Sequence, residues 1–186
     1  MKPKVPTGYE TLEYLRPLAW EEIFATWKKG EAWQESWRKH WQERGWDSWD
    51  KWRQAYAAPL HPEILSWHLY RIGNPVKELP NFYGVPSHAW VEKVYDGAKT
   101  KPLRDLVHLP QVQNNPKVLD IKRDFPRETM LNGVVFQNKI VLYEGAHRSL
   151  AIASWDPATP FTATVTLALA EWPESDSPRV GNNYKR

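Results

Sequence analysis

Sixteen prolines spread over 186 residues set the first limit on what this chain can fold into. Each proline lacks a backbone N–H and fixes φ, so helix interiors and central strands tend to stop at it. The chain is thereby cut into short elements, which argues against one large helical bundle. Its length suits one substantial domain, or one domain with an added helical layer. No apolar run approaches the roughly 18 residues that would suggest a membrane span. The opening Met-Lys-Pro-Lys-Val-Pro lacks the apolar core of a signal peptide. With no cysteine, disulfides, thiolate metal sites and cysteine nucleophiles are excluded together, and a cytoplasmic location is expected. A net charge of +3 is too mild to establish nucleic-acid binding.

Tryptophan is the second unusual feature: there are twelve, eight of them between Trp20 and Trp52. A helix is expected from Ala19 to about Lys29, with Trp20, Ile23, Phe24 and Trp27 on one stripe. Gly30 separates it from a second helix, about Glu31 to Glu43, where Trp33, Trp37 and Trp41 recur every four residues on one face. Gly45 ends that helix, Ser48 caps a third carrying Trp49, Trp52 and Tyr56, and Pro59 stops it. Seven basic and seven acidic side chains balance between Trp20 and Tyr56. A nucleic-acid groove normally carries a basic surplus, so the stripes are expected to pack as core. The alternative is a stacking or docking platform.

The middle of the chain is read as a helix over Pro62 to Ile72, closed by Gly73, then an irregular stretch over 74–86. Ser87 is expected to cap a helix reaching Tyr95, and Thr100 another carrying Leu103, Leu106 and Val107. Between Lys99 and Arg127 seven basic residues outnumber three acids. That surplus is either a solvated face or the rim of an anion site. Scattered histidines form no H-x-x-x-H or H-E-x-x-H pair, so no structural metal is expected.

The last third changes period. Gly133 to Phe136 and Ile140 to Tyr143, joined by Gln137-Asn138-Lys139, read as a hairpin. A helix follows from about Ala146 to Trp155, ended by Asp156-Pro157, and Phe161 to Leu169 reads as a strand. The polar tail, 173–186, is expected to be flexible. At the turn from strand to helix stands Glu144-Gly145-Ala146-His147-Arg148-Ser149. Glycine permits close backbone approach, and the first turn of a helix offers unpaired N–H groups and the positive end of its dipole. A planar guanidinium can grip phosphate there. Residue types and position together point to an anion site.

Strand, glycine turn, His-Arg, small-residue helix, proline loop and strand resemble the ParB/sulfiredoxin-like domains, which carry G-x-H-R or G-x-R-R at this turn. The resemblance covers about Gly133 to Leu169. It implies an α+β domain with a small mixed sheet and packed helices over 60–172, preceded by the Trp-rich helical layer of 1–59. It also implies nucleotide binding, of ATP, ADP or CTP with Mg²⁺, with Gly145, Ala146, His147, Arg148 and Ser149 at the phosphates. Glu144 and His147 are the catalytic candidates it implies, Glu144 through a Mg²⁺-bound water or by orienting a nucleophile, for a phosphotransferase or nucleotide hydrolase. The chain departs from sulfiredoxins at Ala146, where they place a nucleophilic cysteine, so their sulfur chemistry is not expected. It departs from ParB partition proteins at His147, where they carry a second arginine, and their following helix-turn-helix region is not expected here. Free-serine kinases of this class have D-G-H-H-R, and Glu144 replaces their aspartate. Their upstream acid has only Glu128, Asp120 and Asp124 as counterparts by proximity in sequence. The alternative function is a non-enzymatic module that uses the Trp-rich helices to bind nucleic acid or protein, with no membrane partner in either case.

Overall fold

The computed structural model describes residues 5–181. In chain order its main elements are β1 (Leu12–Leu18), α1 (Trp20–Glu31), α2 (Glu35–Glu43), α3 (Trp49–Ala57) and β2 (Trp67–Ile72). Then follow α4 (Pro75–Glu78), α5 (His88–Lys93), α6 (Leu103–Leu106), α7 (Pro110–Gln113) and α8 (Pro116–Arg123). The last are β3 (Glu128–Phe136), β4 (Lys139–Glu144), α9 (Ala146–Ala153) and β5 (Thr164–Glu171). The α+β expectation holds: five strands form one mixed sheet in the order β1-β2-β5-β3-β4, in which only β3 and β5 run parallel. Among the described residues no helix is long and apolar enough to cross a membrane.

The hairpin of β3 and β4 forms as its sequence suggests. Gln137 and Asn138 both take positive φ, 48° and 59°, the turn whose twist matches paired strands. Successive side chains of β3 leave the sheet on opposite faces. Asn132, fully buried, accepts a 2.6 Å hydrogen bond from the Trp27 indole N–H, which fixes α1 on one face. Leu131 points the other way, toward Gly145 and the start of α9. The sheet is thus enclosed between the Trp-rich helices and α9, and one hydrophobic cluster runs from Ile23 and Trp52 through Leu142 to Ile152.

Several expectations are corrected. Pro62 to Ile72 is not a helix: Pro62–Ile64 makes one 3₁₀ turn and Trp67–Ile72 is strand β2. β2 lies between β1 and β5 and buries residues on both faces, so its alternation is blurred into something that also fits a helical stripe. Ahead of the first expected helix, Leu12–Leu18 forms the edge strand β1. Thr100 caps nothing; its hydroxyl donates to the Gly84 carbonyl at 2.5 Å, and Pro102 precedes α6 instead. Near the end of the described chain the tail makes contacts with the core. Val180 is fully buried, and the Gly181 N–H donates to the Tyr56 carbonyl at 2.9 Å. Residues 182–186 of that tail lie outside the described residues.

The tryptophan stripes divide. Trp27, Trp49 and Trp52 are buried, whereas α2 buries no residue completely, and Trp33, ahead of its first turn, is 78% exposed. Trp37 and Trp41 are half-buried against the core. The expected helix over Glu31 to Glu43 is corrected: Gly30 and Glu31 belong to α1 and Trp33 precedes α2, so only Trp37 and Trp41 of that stripe are on the helix, which packs mainly on α3.

Candidate functional site

The turn between β4 and α9 is held by sterics. Gly145 precedes the first residue of α9 with φ 93° and ψ 22°, a left-handed conformation that favours glycine. A Cβ there would also stand 2.5 Å from Leu131 Cδ2. Having no side chain, Gly145 cannot cap the helix, so the α9 N-terminus depends on other partners for its first N–H groups.

That terminus opens on a cleft of about 1400 Å³ at the end of the sheet where β4 finishes and β3 and β5 begin. One wall is aromatic, formed by Trp27, Trp37, Trp52 and Tyr56 of the Trp-rich helices. The other carries Glu144, Gly145, Ala146, His147 and Arg148, flanked by Trp90 and by Lys117 from α8. Pro116 at the first position of α8, and Asn115, whose side chain accepts from the Lys117 and Val118 N–H groups, start that helix.

The two walls keep their charges differently. Arg53, 5% exposed, donates through Nε to Glu31 at 2.6 Å and pairs with the same carboxylate through Nη2. Its guanidinium lies 4.8 Å from the ring centroids of both Trp52 and Tyr56 and 5.1 Å from that of Trp27. Such rings stabilise a desolvated cation. Burial pushes the Tyr56 phenol well above its ordinary range, and its hydroxyl donates to the Tyr143 carbonyl at 2.9 Å.

On the opposite wall Arg148 is already engaged. Its Nη2 donates to both oxygens of Glu144 at 2.6 Å, and its Nη1 donates to the Thr129 hydroxyl at 2.6 Å. The Glu144 side chain is 9% exposed and that of Arg148 28%, so the pair closes the floor of the cleft. His147 lies edge-on to Trp90, ring centroids 5.5 Å apart. Burial first, then the nearby Lys117 charge, lowers its pKa to about 4, with Arg148 adding to the shift and Glu144 opposing it. The imidazole is therefore neutral at pH 7.

The site residues expected from sequence separate into two groups. Gly145, Ala146, His147, Arg148 and Glu144 come together on the cleft wall. Ser149 does not join them: it is fully buried and its hydroxyl donates to the Ala146 carbonyl at 2.9 Å. Of the three candidate acids, Glu128 and Asp120 line the cleft, but Asp120 pairs with Arg123 at 2.5 Å; Asp124 is not among the lining residues. Sequence reasoning did not single out Lys117 or Trp90. Asn115-Pro116 as a helix start and the basic surplus of 99–127 were the signals pointing to Lys117.

A resident metal does not fit the donor set. Both Glu144 oxygens are taken by Arg148, and among the described residues no three His, Asp or Glu side chains converge. Comparison with protein-family models, curated proteins and solved structures gives no match.

Proposed function

We propose that this cleft binds a nucleoside di- or triphosphate, with the phosphates at the N-terminus of α9. The observation that carries this reading is the uncapped glycine turn opening on a large cleft beside Lys117. Lys117 is a cation with no carboxylate within ion-pair distance among the described residues. Helix-start N–H groups and the dipole favour an anion there, and the half-buried Trp37 offers a ring to a base. The likeness of Glu144 to Arg148 to the ParB/sulfiredoxin-like turn supports the same ligand class and the same finer fold. Any Mg²⁺ would arrive with the nucleotide, held by phosphate oxygens and water.

The geometry favours holding a nucleotide over turning it over. Glu144 is clasped by Arg148, and an imidazole with a pKa near 4 is a weak general base at neutral pH. Platform binding of nucleic acid is less well supported, since Trp27, Trp49 and Trp52 are buried and only Trp33 among the tryptophans of this layer is widely exposed. The test is a titration of ¹⁵N-labelled protein with ADP, ATP, CTP and inorganic phosphate. The expected result is saturable shifts of the Ala146, His147 and Arg148 amides with at least one nucleotide. No shift at millimolar nucleotide would reject the site.

A further inference from the structure

Lys117 occupies a place where two parts of a nucleotide would meet. Its Nζ lies 4.6 Å from the centroid of the Trp37 ring, so the side chain reaches from α8 to α2 at the cleft. The same charge acts on His147 at the start of α9 and on His40, beside Trp37. Trp37 also stands 5.4 Å from the Trp52 ring at 35°, which leaves it inclined against a rigid, buried neighbour. No carboxylate ties Lys117 elsewhere among the described residues. Its side chain is exposed, and a lysine stem is flexible.

Resting on the nucleotide reading, we propose that Lys117 is the specificity-determining residue of the cleft. Its ammonium covers Trp37 until a ligand phosphate draws it away, and the uncovered ring then takes the base. Each half of a nucleotide alone faces an uncompensated step. A nucleoside must displace an ammonium from an aromatic face, which forfeits a favourable cation–π attraction. Inorganic phosphate gains a charge-assisted bond from Lys117 but leaves Trp37 bare. A molecule carrying both groups satisfies both partners at once, so the two halves bind with positive coupling. The ligand class is therefore a planar base joined to a phosphate chain, with free base, nucleoside and orthophosphate rejected.

The experiment is calorimetry of ADP, adenosine and inorganic phosphate on the whole chain and on its Lys117→Gln variant, which changes only an exposed side chain. A melting curve confirms that the variant is folded. The expected result is ADP weakened by about tenfold or more, the scale of removing one charge-assisted bond. Adenosine should bind about threefold more tightly once the ring is uncovered, the scale of one exposed cation–π pair. Trp37→Leu in the same background should abolish that gain. If adenosine binds no better to Lys117→Gln while ADP still binds the wild type, the inference is overturned and the nucleotide reading stands. If the wild type binds no ADP, both are overturned.

Discussion

The two walls of the cleft each contain an arginine–glutamate pair, and the protein treats them in opposite ways. Arg53 is buried in a cage of rings and pairs with Glu31, whose side chain is 13% exposed. Arg148 and Glu144 meet at the cleft surface beside an uncapped helix start and a neutral histidine. A caged pair behaves as part of the core: its removal leaves an uncompensated charge. A pair at an open floor can orient a turn and still answer to an incoming anion. The difference teaches that Trp27, Trp49 and Trp52 serve to bury charge and fasten α1 and α3 to the sheet, while Trp37 and the glycine-turn wall stay at the cleft surface.

The largest expected effect lies on the aromatic wall. Trp27→Ala removes a buried indole and the hydrogen bond that Asn132 Oδ1 accepts, and should cost about 3–5 kcal/mol in a denaturant melt. A loss under about 1 kcal/mol would mean that the wall is not core.

The pH dependence should come from the other wall. In the unfolded chain His147 titrates near about 6.5, and in the fold near 4. The unfolded chain therefore binds the proton first as pH falls. Stability from this group is complete above the unfolded value and is lost progressively down to the folded one. The full loss is about 3 kcal/mol. Equilibrium melts between these pH values should show that slope, and His147→Gln should flatten it.

Arg148→Ala should cost about 2 kcal/mol, between the values for an exposed and a buried pair, because Glu144 and Thr129 are left without their partner. A double-mutant cycle with Glu144→Gln should show coupling of at least about 1 kcal/mol. Additive effects would show that the floor of the cleft is not clasped. The smallest effect is expected at Trp33→Ala, within about 0.5 kcal/mol of wild type, since the side chain is largely solvated.

How much of this was legible in the sequence follows from what each signal depends on. The β3–β4 hairpin, the glycine turn, α9 and β5 were readable because their periods and punctuation are local. The three Trp-rich helices were readable for the same reason, though which tryptophans become core depends on what lies beneath each helix, and α2 has no sheet under it. β2 was misread because a strand covered on both sides shows no clean alternation. The docking of Val180 and Gly181 against Pro86 and Tyr56 depends on distant partners and has no sequence signal. At the site, residue types were legible but commitments were not: nothing in Glu-Gly-Ala-His-Arg-Ser tells that Arg148 is held by Glu144 and Thr129, or that Ser149 faces the core.

The most direct test of a ligand-responsive wall is the titration of the His147 ring, followed by NMR with and without saturating ADP. The expected result is an imidazole that titrates near 4 in the free protein and shifts upward by about one unit or more when phosphate lies against it. A titration curve unchanged by ADP, or a free ring that already titrates at its ordinary value, would contradict it.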